Sequence, residues 1–244
     1  MAQPVHEPDQ TLLDDLVAAN RILYGKSIVD GLGHVSVRHD KDPGMYVLAA
    51  EKAPGLVNRE DLAVYDLDSN ALTLRERRPY NERFIHGEIY KVRPDVHSVV
   101  HCHTPSLVTF CVCRTPLRPL YHMSGFLGRG VARFEIREVA GMTDMLCSTP
   151  QLGAALAKSL ADKQIVLMRG HGATMAGQSV KHSVYRAIYA ALNATMQMDA
   201  MRLGEVMYLA DEEAMKGMEI NDRFVDRSWS LWKREAMGTE RPRS

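Results

Sequence analysis

The sequence has no run of about eighteen apolar residues, the length a helix needs to cross a bilayer, which excludes a membrane-spanning helix. It has no charge excess either: 30 Lys and Arg balance 30 Asp and Glu, so no bulk field draws the chain to nucleic acid or an anionic membrane. Cysteine is scarce. Cys102, Cys111, Cys113 and Cys147 form no paired C-x-x-C zinc pattern, so all four are read as buried or half-buried thiols. Residues 1–10 lack the basic and apolar parts of a secretory signal, which points to the cytoplasm, where thiols stay reduced. Repeats, low-complexity linkers and breaks in composition are absent as well. What remains is a neutral chain whose partner is expected to be a small molecule.

The 244 residues, 45% apolar and 25% charged, suffice for a sizeable core. Apolar residues recur at helical spacing over 11–24, with Gly25 as the stop. Alternation over 34–38, 45–49 and 62–66 predicts three strands. A helix is expected from Asn81 or Glu82 through Tyr90, stopped by Arg93-Pro94-Asp95. Then follow a strand over 97–103, a helix opened by Pro105, a strand over 131–136 and an amphipathic helix over 143–160 with Leu146 on its buried side. The fully apolar 164–168 reads as a strand central in a sheet covered on both faces. A long Ala- and Met-rich pattern over 180–209 predicts another helix. In the charged tail, Trp229 and Trp232 fall three apart on one helical face and mark docking against a surface, with a neighbouring subunit as a candidate. Strands and helices interleave, so one α/β domain over 1–244 is expected, with flexible ends at 1–10 and about 238–244.

Spacing carries the chemistry. Val99-Val100 is a β-branched run that delivers His101 and His103 at alternating positions; strand period two projects both from one face, so two imidazole nitrogens converge. Such a pair is either a metal-binding motif or two incidental strand histidines. Arg169-Gly170-His171-Gly172 places a third histidine between glycines just past a buried strand. Glycine permits positive φ and close approach, so this turn can aim an imidazole, although a lone turn histidine is also a common structural residue. Glu82 heads a helix whose far end leads into the histidine strand, where free amides favour a carboxylate as a cap or as a ligand. Together His101, His103, His171 and Glu82 form a three-nitrogen, one-oxygen set suited to Zn²⁺, Mn²⁺, Fe²⁺ or Co²⁺. His86, one turn along from Glu82, is either a partner behind that set or a satisfied core histidine.

Gly33-His34-Val35-Ser36-Val37-Arg38, Glu82-Arg83-Phe84-Ile85-His86 with Tyr90, Arg93-Pro94-Asp95, Val99-Val100-His101-Cys102-His103 and His171-Gly172, in this order and spacing, resemble the class II aldolase/adducin family over residues 11–210. The resemblance implies a three-layer αβα fold with a mostly antiparallel central sheet, commonly a homotetramer. It also implies one divalent metal per subunit, Mn²⁺ or Zn²⁺ ahead of Fe²⁺ or Co²⁺, in a cleft near the subunit interface. His101, His103 and His171 are then the metal-binding histidines, and Glu82 the family's acidic residue, acid/base or ligand. Sugar-phosphate members carry Asn at the first motif, a Thr/Ser-Gly turn after the next strand and Ser-Ser before the glutamate. Here His34, Leu48-Ala49-Ala50-Glu51-Lys52-Ala53-Pro54 and Tyr80-Asn81 stand in those places. Most of a phosphate cradle is therefore missing, and Glu51 would repel a dianion if it faced the same pocket. The segments around His34, Glu82 and His171 are instead similar to the branch that decarboxylates hydroxylated aromatic dicarboxylates, such as hydroxy-methylpyridine dicarboxylate and dihydroxyphthalate.

Breaking a carbon–carbon bond leaves an electron pair that must be delocalised onto oxygen, and a cation on that oxygen lowers the barrier. The expected function is therefore metal-dependent, non-oxidative decarboxylation of an aromatic carboxylate, with Glu82 the first and His34 the second candidate acid. Ser36, Arg38, Lys52, Tyr121 and His122 are candidates for binding substrate: Arg38, Lys52 and His122 by gripping a carboxylate, Tyr121 by packing or hydrogen bonding to the ring. Structural alternatives stand beside them, a strand-end ion pair for Arg38, solvated surface for Lys52 and core for Tyr121. Rival functions are an aldolase or epimerase on a non-phosphorylated or unusual sugar, an adducin-like binding module without chemistry, and an iron-dependent oxygenase.

Overall fold

The computed structural model describes residues 5–238. Residues 1–4 and 239–244, which belong to the ends expected to be flexible, lie outside the described residues. Val5 packs against the core, and the His6 carbonyl accepts a hydrogen bond from the His39 ring at 2.9 Å.

Seven strands form one sheet: β1 His34–Arg38, β2 Met45–Ala49, β3 Leu62–Asp66, β4 Ser98–Cys102, β5 Ala132–Phe134, β6 Ile165–Met168 and β7 Gly172–Gly177. Their order across the sheet is β3-β2-β1-β4-β7-β6-β5, and every pairing is antiparallel except β5 with β6. The helices are α1 Gln10–Gly25, α2 Phe84–Val92, α3 Pro105–Val112, a short α4 Arg137–Ala140, α5 Pro150–Leu160, α6 Val180–Leu203 and α7 Asp211–Met237. They build a core on each face of the sheet, one with α1, α3, α6 and α7 and the other with α2 and α5, which makes the three-layer αβα arrangement.

The pleat decides which residue enters which layer. Val100 and Cys102 of β4 join Leu16, Leu107 and Val184 in one core, whereas Val99 joins Ile85, Ile89 and Leu156 in the other. Each fully buried Val, Leu or Ile contributes about 1.5–3 kcal/mol, so a one-residue slip of β4 would exchange apolar for polar groups on both faces at once. His101 shares the parity of Val99 and therefore points into the α2 layer.

Several sequence expectations are corrected. The helix over 143–160 begins only at Pro150, with Thr149 capping it by accepting the Leu152 amide at 3.3 Å. Proline disfavours helical backbone in the residue before it, and Met145 holds a φ of +72°, so 143–149 is a loop and Leu146 lines a cleft. The helix expected at Asn81 or Glu82 opens as a 3₁₀ turn, Asn81–Arg83, before α2. β6 lies beside the edge strand rather than at the centre; it is buried because β5 and β7 flank it and a core covers each face. The strand over 131–136 contracts to β5, the helix over 180–209 ends at Leu203, and β7 is an addition. Trp229 and Trp232 dock on this chain itself: both lie buried in α7, with Trp232 6.4 and 6.2 Å from the rings of Tyr185 and Tyr189. Cys113 departs from the expected burial, being exposed at the end of α3 where the chain turns to solvent; the other three cysteines are buried and all four are free.

The β6–β7 hairpin depends on one glycine. A Cβ at Gly172 would stand 2.2 Å from the Cys102 carbonyl oxygen, so β4 and β7 can approach here only without a side chain. Gly172→Ala is expected to lower unfolding stability by about 2 kcal/mol, within the range for overpacking. Gly25→Ala, where an added methyl meets nothing within 4 Å, should stay within about 0.5 kcal/mol of the parent. Urea unfolding of both variants checks the pair.

Candidate active site

Four segments meet at one end of the sheet. β4 carries His101, and His103 follows just beyond its last residue. β1 pairs with β4 so that His34 lies opposite His101, and their rings stack with centroids 5.0 Å apart. The turn between β6 and β7, with Gly170 at φ +65° and the His171 amide bonded to the Met168 carbonyl at 3.1 Å, swings His171 toward the same point. The 3₁₀ turn ahead of α2 supplies Glu82, whose Oε1 accepts the Cys147 amide at 2.8 Å. Glu82, His101, His103 and His171 each offer one ligand atom, and these atoms lie within 4.8 Å of one another.

The second bond of each side chain fixes which atom faces inward. A carbonyl oxygen accepts only, so the His171 Nδ1–H donates to Met145 O at 2.9 Å and leaves Nε2 with a bare lone pair. Thr174, opposite His101 in the β4–β7 register, donates to the Met168 sulfur and so accepts from the His101 Nδ1 at 3.1 Å, which bares the His101 Nε2 as well. The His103 Nε2 sits 3.0 Å from that of His101 and 3.1 Å from that of His171. Glu82 Oε2 stands 3.6 and 3.4 Å from the Nε2 atoms of His101 and His171. Nitrogens about 2.1 Å from one ion stand roughly 3.0–3.4 Å apart, so the donor set fits a shared divalent cation.

Electrostatics agree with that fit. Burial holds His101 well below the ordinary imidazole range, and burial with the neighbouring His171 lowers His103, so both are neutral donors. Burial acts to raise Glu82, but its contacts with the His171 and His101 rings and the bond from the Cys147 amide outweigh it and hold the carboxyl at about 2. Burial acts against a charged His171 and the Glu82 carboxylate favours it more strongly, so a proton and a cation compete for the His171 Nε2. The cluster therefore pairs an ionised carboxylate with imidazole lone pairs, the donor chemistry of a transition-metal or zinc site.

Beside the cluster opens a cleft of about 450 Å³, the size of a small-molecule site. His34, Glu82 and His103 face it across the apolar side chains of Leu32, Ala53 and Leu146. Tyr80, whose hydroxyl donates to the Lys52 carbonyl, forms another wall and lies 4.9 Å from the His34 ring. Lys52 also lines the cleft, with its ammonium 2.7 Å from buried Asp61.

Four expected substrate contacts lie elsewhere. Arg38 is buried and donates to the carbonyls of Val96, Pro43, Tyr90 and Arg93, so its guanidinium serves the backbone. Ser36 is buried beneath the cleft, bonded to His86 and Tyr90. Tyr121 and His122 sit at the start of the 3₁₀ segment His122–Arg129, next to α7 and Tyr189 and outside the cleft of their own chain. His86 is fully buried and bonds to His34 and Ser36. The sequence reading missed Thr174, the Met145 carbonyl and the Cys147 amide, which orient the cluster. Thr174 is findable only through β7, and the other two only through the loop over 143–149, where the apolar pattern predicts helix.

Comparison with known proteins follows the same lines. The family described as Class II Aldolase and Adducin N-terminal domain matches residues 14–198. The chain is 35% identical to the decarboxylase tropJ of Talaromyces stipitatus, over 90% of this chain and 91% of that protein. It is 30% identical to a 3,4-dihydroxyphthalate decarboxylase of Arthrobacter keyseri, over 71% of this chain and 72% of that protein. Among solved structures, the L-fuculose 1-phosphate aldolase from Glaciozyma antarctica PI12 shares the fold with a TM-score of 0.79 at 20% identity, covering 98% of this chain and 96% of that one. With the αβα sheet, the converging histidines and a match spanning most of its length, the chain belongs to the class II aldolase and adducin N-terminal domain family.

Proposed function

We propose that the chain is a divalent-metal-dependent lyase that decarboxylates a hydroxylated aromatic carboxylate without oxidation. The observation that carries this reading is the cluster of three imidazoles and one carboxylate at the wall of an apolar cleft, in a chain whose relatives include decarboxylases. His101, His103 and His171, with Glu82, would hold the ion. Once bound, a divalent cation supplies Lewis acidity toward substrate oxygen as negative charge develops on the ring.

The remaining work falls to side chains. Leu32, Ala53, Leu146 and the Tyr80 ring offer flat apolar contact to a planar substrate and keep water from its ring. Glu82, ionised at neutral pH, is suited to take the proton of a ring hydroxyl and return it to the ring carbon as CO₂ leaves. His34, which also lines the cleft, addresses a substrate oxygen. An adducin-like module without chemistry has no need of a complete donor set, and Glu51 in the cleft disfavours a sugar phosphate.

The same reading carries one Mn²⁺ or Zn²⁺ per subunit, with Fe²⁺ or Co²⁺ as substitutes, because imidazole donors suit all four. It also carries a homotetramer or other homo-oligomer in the cytoplasm. Exposed Leu192, Met196, Leu203 and Met207, on α6 and just beyond it, supply apolar surface for such an assembly. Among the described residues no helix is long and apolar enough to cross a membrane.

Two outcomes test the reading. CO₂ release from a panel of ortho-hydroxy aromatic dicarboxylates should fall to background after complete chelation and return on adding Mn²⁺ or Zn²⁺; turnover that survives metal removal overturns it. His171→Ala should lower both bound metal, read by elemental analysis of the purified protein, and turnover by about a hundredfold or more. Full metal occupancy in that variant would exclude His171 as a ligand.

A further inference from the structure

Behind His34 runs a chain of buried polar groups that the proposed reaction leaves unused. His34 and Ser36 lie two apart on β1 and face α2, where His86 and Tyr90 lie four apart on one helical face. The His34 Nδ1 is 2.6 Å from the His86 Nε2, the His86 Nδ1 is 2.6 Å from the Ser36 Oγ, and the Ser36 Oγ is 2.8 Å from the Tyr90 hydroxyl. All four side chains are buried.

The hydrogens in such a chain must run one way or the other. Burial keeps the rings uncharged, with His86 pushed down to about 3, so each imidazole carries one N–H. If the hydrogens ran from His34 toward Tyr90, the tyrosine hydroxyl would have to donate onward. Among the described residues it has no acceptor for that bond: its one further neighbour is the Val99 amide, itself a donor. In the opposite direction every donor is satisfied. Tyr90 donates to Ser36, Ser36 to the His86 Nδ1, and the His86 Nε2–H to the His34 Nδ1.

We propose that His86, Ser36 and Tyr90 are positioning residues that lock His34 in its Nε2–H tautomer, so that this ring offers a hydrogen to an anionic oxygen of the substrate. His34 lines the cleft, its Nδ1 is engaged on the inner side, and Nε2 has no partner among the described residues. The assignment also separates His34 from the ring stacked on it. His101 presents a bare Nε2 to the cluster, whereas an Nε2–H on His34 has no lone pair to give a cation. The inference rests on the cleft being the substrate site and concerns which nitrogen carries the hydrogen, not whether the ring gains charge.

The test is nitrogen NMR of ¹⁵N-histidine-labelled protein, metal-free and zinc-loaded, with the His34 signals identified by their loss in His34→Asn. The expected result in the parent is a protonated Nε2 and an unprotonated Nδ1. Ser36→Ala takes away the hydroxyl that donates to the His86 Nδ1 and should give a mixture of tautomers, with kcat lowered about twofold, in proportion to the remaining Nε2–H fraction. His86→Phe should lose the tautomer preference, whereas His86→Gln, whose amide can still donate to the His34 Nδ1, should keep it and restore most of kcat. A parent His34 protonated at Nδ1, or a tautomer unchanged in Ser36→Ala and His86→Phe, overturns the proposal. The spectrum needs no turnover. A parent chain that releases no CO₂ from any aromatic acid therefore sinks the function proposed above while leaving the tautomer assignment to stand or fall by itself.

Discussion

Three imidazole nitrogens meet with gaps of 3.0 and 3.1 Å, and the inward lone pairs fixed on two of them, those of His101 and His171, repel each other and the Glu82 carboxylate unless positive charge lies among them. The fold holds that repulsive arrangement by giving most of its members a second bond on the far side. Thr174 on β7 holds His101, the Met145 carbonyl holds His171, and the Cys147 amide holds Glu82. Because these partners come from a strand and from the loop ahead of α5, the cluster exists only when β4, β7, that loop and the 3₁₀ turn before α2 are all in register. The positions of four side chains are thus a property of the whole sheet edge and not of any one motif.

Arg38 shows how the sheet fixes the helix that carries the carboxylate. It leaves β1 and reaches the carbonyls of Tyr90 and Arg93 at the end of α2, groups that have no partner within the helix itself. A cation there also complements the negative end of the helix dipole. Binding the far end of α2 to β1 orients its head, where Glu82 sits beside the histidines. The residue read as a grip for substrate carboxylate therefore acts on the site from about the length of α2 away, through the backbone.

The β4 histidines were legible because strand parity is a local rule: once Val99 and Val100 mark a two-sided strand, the faces of His101 and His103 follow. The interleaving of strands and helices was legible for the same reason, with apolar periods of 2 and 3.6 alternating along the chain, whereas the three-layer αβα arrangement followed from the resemblance to the family. The turn at His171 was legible as a turn, yet its direction was not, because that depends on β7, whose Gly-Ala-Thr-Met-Ala-Gly sequence has little strand character of its own and is buried only by its neighbours. The loop over 143–149 was hidden by Leu146, an apolar residue ahead of the helical pattern of Leu152, Leu156 and Leu160 that faces a cleft instead of the core. The same limit applied to Ser36: its strand face is readable, but that the face is covered by His86 and Tyr90 rather than open to substrate is a fact of tertiary packing.

The cleft itself separates the chemistries that one cation cluster can serve. Lys52, which lines the cleft, is bonded to Asp61, and Arg77 shares the same carboxylate. The lysine's charge is already paired, and Glu51, which has no ion pair among the described residues, adds negative charge to the cleft lining, so a dianionic phosphate gains little and is repelled. A planar acid meets different terms. Its ring can cover Leu32, Ala53, Leu146 and Tyr80, while its oxygens face the cluster and the one imidazole, His34, that presents a hydrogen rather than a lone pair. Apolar walls with a few convergent polar groups at one end favour a flat substrate carrying its charge at one edge. That discrimination is set by side chains outside the donor cluster, and the relatives of this chain include proteins named as decarboxylases and one named as a sugar-phosphate aldolase, so the fold alone does not choose between the two chemistries.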